Sequence, residues 1–219
     1  MQPVLPNVPL AERMRPGSID EYVGQQHLVG PGKPLRQMLE RHVPFSMILW
    51  GPPGSGKTSL ARLLSSAVDA HFEQLSAVSA GVKDVRGIIE QARKRRWELE
   101  QLQTILFIDE IHRFNKAQQD ALLQAVEQGD IILIGATTEN PSFEIIPPLR
   151  SRARTFVLQP LSMEDLRGIL DRALANDSFM QRLDVSFDDV DMLIAYSGGD
   201  ARGMLNGLEM CCLLAEKDG

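Results

Sequence analysis

The sequence predicts an α/β fold, a parallel sheet covered by helices on both faces and followed by a smaller, purely helical region. Three observations carry that expectation. A phosphate-binding pattern stands between an apolar strand and a helix. Strand and helix signals then alternate from residue 46 to 158, which requires crossover connections and hence parallel strands. At Pro160 the strand signals stop and helical patterns take over.

Composition narrows the classes. The 219 residues are 43% hydrophobic, enough for a real core, and 24% charged. The net charge of −6 argues against a surface coated in positive potential, so nucleic-acid binding has to rest on particular residues. No apolar run approaches membrane-spanning length, and Met1-Gln2-Pro3-Val4 does not begin a secretory signal. Cys211 and Cys212 are adjacent in a helix-like segment and read as thiols of a reducing, cytoplasmic compartment. His27, His42, His71 and His112 show no zinc-like spacing.

Residues 1–45 are rich in proline, glycine and charge and read as an arm on the main domain. Ser18-Ile19-Asp20-Glu21 looks like a short helix start, and a helix is expected near Leu35–Arg41. The apolar run Met47-Ile48-Leu49-Trp50 then enters Gly51-Pro52-Pro53-Gly54-Ser55-Gly56-Lys57-Thr58, which fits G-x-x-x-x-G-K-[ST] at every fixed position. Small residues let successive N–H groups converge on phosphate oxygens, and the helix opening at Ser59 adds its dipole. Lys57 is expected at the β- and γ-phosphates and the Thr58 hydroxyl at Mg²⁺. The nucleotide-binding set is thus Gly51, Pro52, Pro53, Gly54, Ser55, Gly56, Lys57, Thr58 and Ser59, and the ligand is a nucleoside triphosphate.

Further strands are expected at 71–75, 104–109, 131–137 and 155–158. The helix beginning near Lys83 places Val85, Ile88, Ile89 and Ala92 on one face and continues into Arg93-Lys94-Arg95-Arg96-Trp97. That charge run is either a solvated face or a phosphate-contacting patch. The strand Thr104–Ile108 ends in Asp109-Glu110, 52 residues after Lys57. Acids at that end of a buried strand face the crevice where open α/β sheets bind ligands. Asp109 is expected to hold Mg²⁺ and Glu110 to act as general base on the attacking water. Asn115-Lys116-Ala117-Gln118 resembles a capping box for a helix running to about Glu127. The next strand ends in Thr137-Thr138-Glu139-Asn140-Pro141, and Arg150, Arg152 and Arg154 precede the last one. Beyond Pro160, helices are expected from Ser162-Met163-Glu164-Asp165 towards Ala175, over Asp188–Tyr196, and from Asp200 to Glu216. The domains expected are 1–159 and a helical lid at 160–219.

Taken in order, Ser46–Gly54, Ser76–Lys83, Asp109–Lys116 and Gly135–Phe143 resemble the clamp-loader group of AAA+ ATPases, and within it the RarA/MgsA family that includes the Werner-helicase-interacting protein. The resemblance implies a five-stranded sheet of order 5-1-4-3-2 and a sensor role for Thr138. It implies an arginine finger at Arg152, with Ala153 where cysteine is usual, and a γ-phosphate contact for Arg202 in Gly199-Asp200-Ala201-Arg202. By the same resemblance Arg15, Tyr22 and Val23 belong to the segment that wraps adenine, and residues 1–45 become an adenine-wrapping arm. The implied activity is a DNA-dependent ATPase of fork maintenance, recombination and repair, using ATP and Mg²⁺. Its implied partners are DNA junctions or ends, copies of itself and replication proteins such as single-strand-binding protein, in the cytoplasm or at a bacterial nucleoid. Family members carry a helical oligomerisation region after the lid, so the chain is expected to be a fragment or truncated form. A RuvB-like branch-migration motor and a non-hydrolysing scaffold subunit are the alternatives; Glu139–Phe143 weighs against the first, and intact Lys57, Thr58, Asp109 and Glu110 against the second.

Overall fold

The computed structural model describes residues 7–68, 70–98, 102–183, 185, 187 and 189–214. They form two compact units. One holds residues 25–51 and 57–158; the other holds 7–24, 52–56 and the described residues from 159 onward.

The first unit is the sheet. Its strands are β1 (Met47–Trp50), β2 (His71–Ser76), β3 (Thr104–Asp109), β4 (Ile132–Thr137) and β5 (Arg154–Val157), each within one residue of the limits expected. All pair in parallel in the order β2-β3-β4-β1-β5, which is 5-1-4-3-2 read from the other edge. The inner strands are apolar on both faces because helices cover both: Met47, Ile48, Leu49 and Ile105 to Ile108 have no exposed surface. Edge strand β2 instead carries charge. Glu73 meets His71 at 2.8 Å and Arg95 at 2.9 Å, and these contacts, His71 first, hold its carboxyl below the usual range.

Helices of seven or more residues in this unit are α1 (Pro34–Arg41), α2 (Lys57–Ser66), α3 (Val82–Glu98) and α4 (Lys116–Glu127). The capping box expected for α4 is present: Asn115 Oδ1 accepts from Gln118 N, and Gln118 Oε1 accepts from Asn115 N, both at 3.0 Å. Val85, Ile89 and Ala92 of α3 pack with Leu122 and Ala125 of α4 over Leu106 and Ile108 of β3. The cationic run on α3 is largely an ion-paired face. Arg93 binds Asp130 at 2.6 Å, Arg95 binds Glu73, and Arg96 donates to the Gln128 carbonyl at 2.7 Å. Those three guanidiniums are engaged within the fold, which favours the solvated-face alternative over the phosphate patch.

The second unit is helical: α5 (Met163–Asn176), α6 (Val190–Tyr196) and α7 (Ala201–Leu214). Ser162 and Asp165 form the capping box of α5, Asp189 caps α6 through Met192 N, and Asp200 caps α7 through Gly203 N. The expected limits at Asp188 and Glu216 lie outside the described residues. Residues 7–24, expected with the rest of the arm on the sheet domain, fall in this unit for two reasons. Leu10 is fully buried in the core made by Leu166, Leu170, Ala173, Met204 and Leu208. Arg13 meets Asp177 in a two-pronged pair at 2.7 and 2.9 Å and Glu209 at 2.8 Å. Arg172 adds to this by donating to the carbonyls of Met14 and Glu21.

Asp177 is 6% exposed and also accepts from the N–H groups of Phe179 and Met180. Its bond to Arg13 outweighs burial and holds the carboxyl below the usual range. A depressed folded value stabilises the fold fully above the unfolded value of about 3.9, and that contribution disappears as pH falls through the folded one. Asp177→Asn should therefore destabilise the helical unit by about 3 kcal/mol at pH 7. Denaturation of both proteins from pH 7 down to pH 2 should show the difference shrinking only in the acid range; a difference that ignores pH would remove the charge from the explanation.

Candidate active site

Strand order decides which residues meet. β4 lies between β1 and β3, so the carboxyl ends of these three strands stand side by side, and each delivers polar groups there. From β1 the chain enters Gly51, whose N–H donates to the Thr137 carbonyl at 3.1 Å, while the Trp50 indole N–H donates to the Thr138 carbonyl at 3.3 Å. Lys57 opens α2 at 8% exposure, and its ammonium donates to the Gly51 carbonyl at 2.8 Å. Thr58, in the same first turn, is also 8% exposed. From β3 come Asp109, whose Oδ1 accepts from Glu110 N at 3.1 Å, and Glu110, which is 32% exposed at its side chain.

Glu110 adopts the left-handed conformation at φ 54°, ψ 42°, a costly choice for a residue with a Cβ. The turn Ile111–Arg113 that follows explains why it persists. Arg113 N donates to the Glu110 carbonyl at 2.8 Å, and Ile111 is fully buried against Gly135 of β4. A Cβ on Gly135 would lie 2.8 Å from Ile111 Cδ1, so the glycine makes room for the turn. The same turn sets His112 Nδ1 at 3.0 Å from Thr137 Oγ1 and 3.3 Å from Glu110 Oε2. Thr137, rather than its neighbour Thr138, is the fully buried threonine at this strand end; Thr138 is half-buried.

Pro52–Gly56, the middle of the glycine-rich loop, belongs to the helical unit. Gly54 and Gly56 take φ +67° and +93°, and neither has space for a side chain: a Cβ would lie 1.8 Å from Asp200 Oδ1 at the first and 2.6 Å from the Tyr22 hydroxyl oxygen at the second. Ser55 Oγ closes the turn on the Pro52 carbonyl at 2.8 Å. Tyr22, expected beside adenine, is 6% exposed and its hydroxyl donates to the Ser55 and Gly56 carbonyls at 3.4 and 3.3 Å. Burial pushes its phenol up, which keeps it a donor. Arg15 pairs with Glu12 at 2.6 Å, Val23 packs on the helical core, and Arg202 is exposed in the first turn of α7.

Arg152 stands apart from the cluster of the sheet unit. It precedes β5, whose Arg154 pairs with Met47 at the start of β1, so it lies at the opposite end of the sheet from Lys57. There its guanidinium meets Glu127 at 2.5 Å and donates to the Pro148 carbonyl at 2.9 Å. At the sheet edge, His112 is the contributor to which sequence reasoning gave no role; within the helical unit, Tyr22 and Asp200 stand against the loop glycines. Asp200 carried a signal as the residue that begins a helix after Gly198-Gly199.

The donor set fits a magnesium–nucleotide: a buried ammonium, a helix N-terminus, a hydroxyl in its first turn and a carboxylate on the next strand but one. Residues 47–161 match the family described as "ATPase family associated with various cellular activities (AAA)". The chain is 51% identical, over 96% of its own length and 46% of the relative's, to an AAA domain-containing protein of Mycobacterium tuberculosis. It is 49% identical to replication-associated recombination protein A of Escherichia coli K12, covering 96% of this chain and 47% of that one. To the ATPase WRNIP1 of Dictyostelium discoideum it is 43% identical over 92% of this chain and 23% of that one. The chain thus spans about half the length of the bacterial relatives it matches. Among solved structures, the Thermotoga maritima RuvB Holliday junction branch migration motor superposes with a TM-score of 0.65 at 29% identity, over 88% of this chain and 63% of that one.

Gly32 offers a control for the loop glycines. It has φ +71° but no atom within 4 Å of where a Cβ would sit, so alanine there meets strain alone. Gly54→Ala should weaken binding of a fluorescent ATP analogue at least tenfold, and Gly32→Ala should leave it unchanged; equal effects would mean that backbone strain, not the crowded loop, sets affinity.

Proposed function

The chain belongs to the AAA family of ATPases, and on that footing we propose that it binds and hydrolyses ATP in DNA replication-fork maintenance, recombination and repair. The observation that carries this reading is the side-by-side placement of Lys57, Asp109-Glu110 and Thr137-Thr138 at the carboxyl ends of β1, β3 and β4. Thr58 and Asp109 would hold Mg²⁺, which neutralises charge on the phosphates when bound. Lys57 holds the β- and γ-phosphates, and Thr138 orients the terminal phosphate or the water. Glu110 takes the proton from that water through a carboxylate oxygen. Arg202 keeps the γ-phosphate role implied by the family resemblance, and Arg15, Tyr22 and Val23 the adenine side.

The process assignment rests on the relatives named replication-associated recombination protein A and WRNIP1. DNA is the partner proposed, held by its phosphates. Lys83 and Arg86, both exposed in the first turns of α3, are the cations offered for this. A replication partner such as single-strand-binding protein and a cytoplasmic, nucleoid-associated setting belong to the same proposal. Branch migration is the second reading, favoured by the RuvB structures at 29–30% identity.

Steady-state ATP turnover with and without DNA tests the proposal. Lys57→Ala should weaken ATP binding by tenfold or more. Glu110→Gln should bind normally and turn over at least about a hundredfold more slowly, because only proton transfer is lost. DNA should raise wild-type turnover, and more weakly as salt increases. Turnover of Glu110→Gln at the wild-type rate would remove Glu110 as the base.

Arg152 cannot serve its own Lys57 from the far end of the sheet, so we assign it to the nucleotide of a neighbouring copy. There a guanidinium stabilises charge on the transferred phosphoryl group. In the assembling protein, Arg152→Ala should lose turnover with little change in ATP affinity. Mixing it with Lys57→Ala should restore part of the activity, since some pairs then join an intact finger to an intact pocket. Mixtures that exchange subunits and stay inactive would reject the role in trans.

A further inference from the structure

His112 Nδ1 lies between two oxygen atoms, Thr137 Oγ1 at 3.0 Å and Glu110 Oε2 at 3.3 Å. Thr137 Oγ1 has one hydrogen, and it goes to the Glu139 carbonyl at 3.2 Å; the same oxygen accepts from Glu139 N at 2.9 Å. With the hydroxyl hydrogen on the Glu139 carbonyl, the contact at 3.0 Å with His112 Nδ1 takes its hydrogen from the imidazole. Glu110 Oε2, 3.3 Å from the same nitrogen, is a carboxylate oxygen and only accepts. An N–H on Nδ1 is therefore the tautomer that suits Glu110, with the Thr137 oxygen as its hydrogen-bond partner. The imidazole is nine-tenths buried, at 10% side-chain exposure, on a turn locked by Ile111 against Gly135, so its ring has little freedom to answer otherwise.

We propose that His112 is a positioning residue for Glu110: its Nδ1–H holds the carboxylate by Oε2 and ties that orientation to the turn Thr137–Glu139. The inference rests on Glu110 being the base proposed above. It links the base to the turn that follows β4. Of the two polar groups beside the imidazole, Glu110 directly follows β3 and Thr137 ends β4, so His112 bridges the ends of these two strands. Among the described residues, His112 makes no hydrogen bond or ion pair with Thr58 or Asp109, the metal-binding residues proposed.

Two measurements test the assignment. In nucleotide-free protein labelled with ¹⁵N-histidine, His112 should show a protonated Nδ1, and Glu110→Gln and Thr137→Val should each shift that resonance. A signal unmoved by Glu110→Gln would overturn the proposal, and this readout does not depend on any His112 variant folding. In turnover, His112→Ala should lower kcat roughly tenfold to a hundredfold with ATP affinity unchanged. His112→Asn, whose amide N–H can stand where Nδ1–H does, should recover most of it, and His112→Gln should not. Equal turnover for Ala and Asn would mean that the ring only fills space. If Glu110→Gln itself retained full turnover, the base reading would fail, whereas full turnover of His112→Ala beside an inactive Glu110→Gln would reject the positioning role alone.

Discussion

The position of β4 between β1 and β3 is the constraint on which the sheet unit's chemistry depends. In a parallel sheet every strand ends at the same edge, and its last carbonyls and side chains emerge together. Strand order then determines which ends are neighbours. With β4 in the middle, the Thr137 and Thr138 carbonyls can accept from Gly51 and Trp50 on one side, and the Thr137 hydroxyl can meet His112 on the other. Moving β4 to an edge would make β1 and β3 neighbours, without the polar groups that now stand between their ends. The burial of β1, β3 and β4 on both faces is what makes this placement stable, since an apolar strand of this kind has nowhere else to go.

How much of this was legible in the sequence depends on the range of the interaction. Strand limits were readable to within a residue because continuous apolar runs and Gly/Pro punctuation are local signals. So were the capping boxes of α4 and α5, where donor and acceptor sit three residues apart. The strand order came from family resemblance, since pairing across the sheet leaves no periodic trace. Short helices over Pro141–Glu144 and Pro147–Arg150 were not readable: four residues show no face. Arg13 looked like one cation among several in a proline-rich arm. Its pairing with Asp177 spans 164 residues, and nothing near it announces a carboxylate partner.

The site shows the same division. The glycine-rich loop and Asp109-Glu110 are motifs, so their residues could be named with their roles. The left-handed Glu110 could not, because the cause is remote: Gly135 on another strand leaves the space that Ile111 fills. Gly135 read simply as a strand residue, and His112 only as a histidine with no metal spacing. Once the turn is in place, both become parts of one arrangement. The local strain is offset by burying Ile111, whose full burial contributes on the order of 2 kcal/mol, against about 1–2 kcal/mol for the αL residue. A strained residue at a strand end is thereby compatible with a stable fold.

Arg152 illustrates how a resting contact can be compatible with a catalytic role elsewhere. Its pair with Glu127 is 43% and 40% exposed at the two side chains, in the range where an ion pair contributes at most about 1 kcal/mol. A guanidinium bonded to phosphate oxygens in a water-poor interface forms charge-assisted bonds of about 1.5–3 kcal/mol each. For the role in trans proposed for Arg152, giving up Glu127 would cost little, because the exposed carboxylate left behind returns to solvent. The contrast with Arg13 is instructive. That guanidinium is 17% exposed and meets a carboxylate only 5% exposed, so removing it would strand a buried charge. Burial, rather than distance, separates the arginine that holds a unit together from the one whose ion pair is weak enough to exchange.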